Sequence, residues 1–275
     1  MKTAFNTMVK NESIMLDSVL PIWSKYPIDL FIFYDDNSTD ETCNIIKKHL
    51  SNDRYIILND HLEKFNEGYH RQKMIDESIS NNVDIIFSID ADELLSSSII
   101  NNFDNFLKIY ENTDLWLYWY NAVNDSLDYH RADPAYVNNY RSFVLPVKHM
   151  NRLDTSAWQY HTPRTPHVNL PKSYTKEYGV IHLQSCNKKY YAIKQLWYKH
   201  YEYLNYNHSV EFINGRYDSV VNNLNFNPKL TDKKIIEGIE IDLSFFNDLE
   251  KNKGYLLFIN ENLNNDLITF GKEFL

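Results

Sequence analysis

Residues 84–93, running Asp84, Ile85, Ile86, Phe87, Ser88, Ile89, Asp90, Ala91, Asp92 and Glu93, constrain what this chain can fold into more tightly than any other stretch. A short run of large aliphatic and aromatic residues bounded by polar ones reads as a strand covered on both faces, as in a parallel sheet between helices. Its acids then emerge at the strand's carboxyl end. In an extended chain residues i and i+2 point the same way, so Asp90 and Asp92 can aim two carboxylates at one point. Two anions held that close repel unless a cation lies between them, and a hard divalent ion, Mg2+ or Mn2+, suits oxygen ligands. The same letters also fit a strand followed by a helix whose first turn is acidic for dipole reasons. Glu93 stays open three ways: it orients a ligand, begins the next helix, or faces water.

The chain before this stretch repeats one theme. Residues 3–9 form a first strand, after which Ile14, Met15, Val19, Leu20, Ile22 and Trp23 share a helical face that Pro27 closes. Residues 30–34 form a second strand, ending in Asp35, Asp36, Asn37, Ser38, Thr39, Asp40 and Glu41. Ser38 and Glu41 stand in the relation of a capping box, which predicts a helix over 39–49. A strand over 54–58 and a helix over 69–80, with Met74, Ile75 and Ile79 inward, complete the alternation. Such alternation predicts a mostly parallel sheet with right-handed crossovers and ligands beyond the strands' carboxyl ends. Asp35, Asp36, Asp90 and Asp92 all fall there.

Downstream, the pattern predicts a helix over 99–110 and an aromatic strand over 115–120. A long polar loop over 121–140 and a strand over 141–147 come next. A short strand over 180–183 carries His182, a helix covers 189–204, and a strand over 255–259 lies in an otherwise helical remainder. The size, 275 residues with 43% hydrophobic, suits one large domain or a domain with a small appendage. A net charge of -9 argues against a nonspecific grip on nucleic acid or anionic membrane. Two distant cysteines, Cys43 and Cys186, make neither a zinc site nor a disulfide framework and imply a reducing compartment. With no apolar leader at the start and no run of roughly 20 apolar residues, the expectation is a soluble, cytoplasmic protein without a transmembrane segment.

Four motifs in order carry a resemblance. Residues 7–12 (Thr7, Met8, Val9, Lys10, Asn11, Glu12), residues 35–40, Arg71, and Asp90 through Glu93 look like family 2 glycosyltransferases of the GT-A fold, in the subgroup with a Lys-Asn-Glu start and Asp-x-Asp-Glu. The resemblance covers residues 3–120 and continues more weakly through residues 181–185 and Lys194. It implies an α/β, GT-A (Rossmann-like) fold whose mostly parallel central sheet is flanked by helices, with a mixed, mainly helical C-terminal appendage. The implied domains are a catalytic one over residues 1–205, divided into a nucleotide-sugar half at 1–120 and an acceptor half at 121–205, and an extension over 206–275.

The implied activity is metal-dependent transfer of a sugar from a nucleotide-sugar donor, UDP-linked, to the hydroxyl of an acceptor glycan or other molecule, with inversion. By the resemblance Asp36 accepts a hydrogen bond from the base with Arg71 nearby, and the backbone of Met8, Val9 and Lys10 lines the pocket. Asp90 touches ribose or metal, Asp92 is the principal ligand of Mn2+ or Mg2+, and His182 is either the third ligand or a core histidine. Inversion needs a general base, for which Asp133 and Asp154 are candidates, with Asp128 behind them; as solvated loop acids all three have an ordinary explanation. Arg131, Lys148 and Arg164 are candidates to steady the diphosphate, and Trp116, Trp119 and Trp158 either stack on an acceptor sugar or fill the core. Two other readings stand beside this one. A sugar nucleotidyltransferase resembles a glycine-rich loop after the first strand, and residues 1–67 contain no glycine. A noncatalytic carbohydrate- or partner-binding protein on the same scaffold has no need of Asp36, Asp90 and Asp92.

Overall fold

The computed structural model describes residues 1–60, 65–132, 138–153, 163–221, 227–247 and 253–274. In chain order the elements begin β1 (Thr3–Val9), α1 (Ser13–Trp23), β2 (Leu30–Asp35), α2 (Thr42–His49), β3 (Tyr55–Leu58), α3 (Glu67–Ser80) and β4 (Ile85–Ser88). Next come β5 (Glu93–Leu95), α4 (Ser97–Asn101), α5 (Phe103–Ile109), β6 (Asp114–Val123), β7 (Ser126–Arg131), β8 (Tyr140–Arg141), β9 (Val144–Pro146) and β10 (Lys172–His182). The last are α6 (Lys188–Tyr206), α7 (Val210–Val221), β11 (Pro228–Leu230), α8 (Lys233–Ile236) and α9 (Lys253–Glu261). They form two compact units, one of residues 1–120, 138–181 and 232–241, the other of residues 121–137, 182–231 and 242–275.

The first unit is built on a sheet of order β3-β2-β1-β4-β9, in which the first four strands run parallel and β9 antiparallel. Register and alternation together explain why both faces are apolar. Phe5 pairs with Phe31 and Phe87, so three phenylalanines line one face, where Trp23 of α1 meets Phe5 at 5.5 Å between ring centroids. Their neighbours Ala4, Ile32 and Ile86 point the other way and pack with Met74 and Ile75 of α3. The expected mixed α/β architecture, a mostly parallel sheet flanked by helices, is the one found. Further on, β5 and β6 both pair with β10, and β8 pairs with β6. Gly179 in β10 passes so close to β6 that an added Cβ would lie 2.8 Å from the Tyr118 carbonyl oxygen and 2.5 Å from the Tyr120 ring. Gly179→Ala is therefore expected to destabilise the fold by about 1–3 kcal/mol through overpacking, readable as a lower urea midpoint at unchanged m-value.

In the second unit β7 pairs with the end of β6 and with β11. Its longest helix, α6, buries Lys199 completely, and the ammonium donates to Asp218 Oδ1 and Thr269 Oγ1, both at 2.7 Å. Glu202, equally buried, accepts from Arg216 at 3.1 Å and from the Tyr217 hydroxyl at 2.9 Å. Among the described residues no helix is long and apolar enough to cross a membrane.

Several local expectations are corrected. The capping box does not form, because Ser38 Oγ accepts instead from the Asn11 N–H; α2 starts at Thr42, whose N–H donates to Asp40 Oδ1 at 3.0 Å. The helix over 99–110 breaks at Asn102 (φ -127°, ψ 31°) into α4 and α5. Within the loop over 121–140 lies the β6–β7 hairpin. Its two-residue turn, Asn124 and Asp125, has φ of 62° and 52°, the positive values that a type I′ turn requires and that Asn and Asp tolerate. The stretch over 255–259 is helical, inside α9.

Candidate active site

The ends of β1 and β2 are stitched together by side chains that their sequences supply. Asn11 takes a positive φ of 54°, donates its N–H to Ser38 Oγ at 2.9 Å and accepts the Thr39 N–H on Oδ1 at 2.7 Å. The Glu12 N–H donates to Thr42 Oγ1 at 2.9 Å, and the Ser38 N–H to Asp35 Oδ1 at 3.2 Å. The turn after β1 and the acidic loop after β2 therefore make one surface. On it the Lys10 ammonium reaches Asp36, 2.7 Å from Oδ2 and 2.9 Å from the carbonyl oxygen. Burial raises the Asp36 carboxyl above the usual carboxylate range, against the pull of Lys10.

Beyond β4 the chain does not stay extended through the acids. The Glu93 N–H donates to the Asp90 carbonyl at 3.0 Å while the Asp90 N–H donates to Glu93 Oε2 at 2.8 Å, closing a turn. Glu93 is fully buried at the start of β5 and holds this turn, so it neither begins a helix nor faces water. Two guanidiniums meet there. Arg71 of α3 donates from Nε to Glu67 Oε1 at 2.9 Å, from Nη1 to Ser88 Oγ at 3.1 Å and from Nη2 to Asp90 Oδ1 at 3.4 Å. Arg164 donates from Nη2 to Asp90 Oδ2 and from Nη1 to Glu93 Oε2, each at 2.6 Å, with its Cζ 5.0 Å from the Phe143 ring centroid. Burial opposes the charge on Arg164, but Asp90 and Glu93 outweigh it and raise the guanidinium above its ordinary value.

Divalent-cation chemistry has to fit this donor set. Each Asp90 oxygen already accepts from an arginine, and Asp92 is buried on the same turn. Among the described residues no three His, Cys, Asp or Glu side chains group as a metal centre. Among the described residues Glu67, Asp90, Asp92 and Glu93 stand beside Arg71 and Arg164, so the donor set here is carboxylate oxygen, the type a hard divalent cation takes. This suits an ion that takes one or two carboxylates from the protein and the rest of its shell from a diphosphate, as Mg2+ commonly does.

The remaining predicted residues divide. His182 belongs to the second unit, where its Nδ1 bonds Asn121 Oδ1 at 2.7 Å. Asp128 is exposed and bonded to Ser126, and Arg131 is buried with its Cζ 5.9 Å from the Tyr191 ring centroid. Asp133, Asp154 and Trp158 lie outside the described residues. Glu67 and Ser88 join the site without having stood out in the sequence. For Glu67 the spacing to Arg71, four residues along one helix, is the signal that could have found it.

Beside Arg71, His70 is fully buried and stacked on Tyr34 with ring centroids 4.0 Å apart. Neither ring nitrogen has a hydrogen-bond partner among the described residues, and burial pushes the imidazole down to about 4 from its ordinary 6.5. The unfolded chain therefore binds a proton between those values that the native state refuses. Stability is full above pH 6.5 and falls as the pH drops toward 4, by on the order of 3 kcal/mol. Urea denaturation of His70→Phe is expected to flatten this acid limb, and an unaltered limb would contradict the assignment.

No family model matches the chain, and no curated protein matches it. Among solved structures it is similar to S. aureus TarS at 13% identity, covering 97% of this chain and 50% of that one with a TM-score of 0.46, so it spans half the length of that relative. The 1–349 portion of TarS in complex with UDP-GlcNAc is similar at 12% identity, with 95% and 80% coverage and a TM-score of 0.45. The mannosyltransferase PcManGT from Pyrobaculum calidifontis, in complex with GDP-Man and Mn2+, is similar at 14% identity over 45% of this chain and 35% of that one, with a TM-score of 0.31. At TM-scores below 0.5 these likenesses assign neither a substrate nor a site residue to this chain.

Proposed function

We propose that the chain is a family 2-type glycosyltransferase of the GT-A fold, taking a sugar from a UDP-linked donor to an acceptor hydroxyl with inversion. The observation that supports this best is the convergence at three adjacent strand ends: Lys10 on Asp36 beyond β1 and β2, and Arg71 with Arg164 on Asp90 beyond β4. Carboxyl ends of parallel strands are where such sheets bind ligands. Here a carboxylate able to accept from a base or ribose stands at the same edge of the sheet as two arginines, Arg71 from α3 and Arg164 from the stretch before β10, whose planar donors suit a diphosphate. Asp36 holds the nucleoside with the backbone of Met8, Val9 and Lys10. Asp90 aligns the arginines, and Asp92 with Asp90 would hold Mn2+ or Mg2+. When bound, the ion neutralises the leaving diphosphate as a Lewis acid. Asp133 or Asp154 removes the acceptor proton. The domain limits at 120 and 205 and a cytoplasmic site belong to the same proposal.

Incubation with Mn2+ and a panel of nucleotide sugars tests it. Metal-dependent release of nucleoside diphosphate is expected. Pyrophosphate would mean a nucleotidyltransferase, and neither product with sugar binding retained would mean a binding protein. Asp36→Ala is expected to weaken donor binding about tenfold, the worth of one charge-assisted hydrogen bond, with Mn2+ affinity unchanged; equal donor affinity in both proteins would refute its role.

A further inference from the structure

We propose that a cavity of about 280 Å³ in the first unit, walled by Asp114, Trp116, Arg141, Ser142, Arg164 and Lys172, binds the sugar ring of a negatively charged acceptor, a saccharide bearing a carboxylate or a phosphate. The acceptor role rests on the glycosyltransferase reading; the sugar site does not. Volume comes first. At the lower end of ligand pockets, this one suits a single ring rather than an oligosaccharide.

The wall has the chemistry of anionic-sugar recognition. Trp116 is fixed by its indole N–H, which donates to Asp114 Oδ2 at 2.9 Å, and Lys172 Nζ stands 4.4 Å from its ring centroid. Lys172 is thus a cation already held against an aromatic plane, so an anionic substituent that pairs with it brings its own ring alongside the indole. Arg141 adds a second positive charge, against the single carboxylate of Asp114. Ser142 Oγ and Asp114 Oδ1, both on wall residues, are buried without hydrogen-bond partners among the described residues. A ligand rich in hydroxyls can meet the first after a turn of the serine side chain, and such unmet groups favour a polyhydroxyl ligand over a simple anion.

Position ties the cavity to the chemistry. Arg164 lines it and also pairs with Asp90 and Glu93, so the cavity and the proposed donor site share this residue. An acceptor seated there lies beside the groups proposed to hold the diphosphate.

The test is NMR titration of the tryptophan indole resonances, with Trp116 assigned through Trp116→Phe, using glucose, glucuronate, glucose 6-phosphate and inorganic phosphate. Glucuronate or glucose 6-phosphate is expected to shift the Trp116 resonance and bind at least tenfold tighter than glucose. Which of the two binds better distinguishes carboxylate from phosphate. The Lys172→Ala, Arg141→Ala double variant should lose that binding at least tenfold while Mn2+-dependent UDP affinity stays within twofold. Equal binding of glucose, full binding by the double variant, or inorganic phosphate binding as tightly as glucose 6-phosphate would each overturn the site. If anionic sugars bind but neither UDP nor GDP does, the acceptor role falls together with the proposed function while the sugar site stands. If UDP binds and anionic sugars do not, only this proposal falls.

Discussion

Asp92→Asn is expected to lower Mn2+-dependent cleavage of a nucleotide sugar by at least about 100-fold, with the melting temperature of the variant close to that of the wild type. The size reflects what the residue is proposed to do. Electrostatic groups aimed at developing charge in a water-poor site are worth about 10²–10³ in rate each. Asp92 is buried on the turn that follows β4, where a carboxylate acts with little screening by water. Asparagine keeps the shape and removes the charge, so the loss falls on the cation. Calorimetry that found Mn2+-dependent nucleotide binding undiminished in Asp92→Asn would remove the residue from the site.

The second large effect concerns the second unit and stability alone. Asp218→Ala strands the Lys199 ammonium, whose carboxylate partner is Asp218 Oδ1 at 2.7 Å, in a fully buried position. Burial already lowers the Lys199 pKa, with Asp218 acting against it. Breaking such a pair on one side costs about 3–5 kcal/mol, because the surviving charge stays desolvated and unpaired. Replacing both residues is different: Lys199→Met with Asp218→Ala removes the charge as well as its partner and should recover most of the loss. Denaturant midpoints of the wild type and these two variants measure this. A double variant no more stable than Asp218→Ala would show that packing, not the buried charge, sets the cost.

The sheet and its acids were legible because they rest on local patterns. Apolar runs ending in polar or acidic residues marked β2 and β4 and put Asp36 and Asp90 at strand ends, and the short stretch before Lys10 marked β1. What escaped depends on distant partners. Arg164 reaches Asp90 across 74 residues of chain, and no spacing announces that. Glu93 is read as solvent, cap or ligand holder from its neighbours, yet the partner that explains it, Arg164, comes from far down the chain. Ser38 made a good capping box on paper, but Asn11 on the neighbouring strand end was the better partner. The β6–β7 turn at Asn124 and Asp125 was a missed local cue, hidden by reading polarity as loop. Residues 255–259 are apolar on all sides, and in so short a run periodicity does not separate helix from strand.

The most direct measurement is calorimetric titration of UDP and of GDP into the wild-type chain, with and without Mn2+. The proposed function predicts saturable, Mn2+-dependent binding of at least one nucleoside diphosphate, weakened in Asp36→Ala. Absence of binding by either nucleotide under both conditions would contradict it.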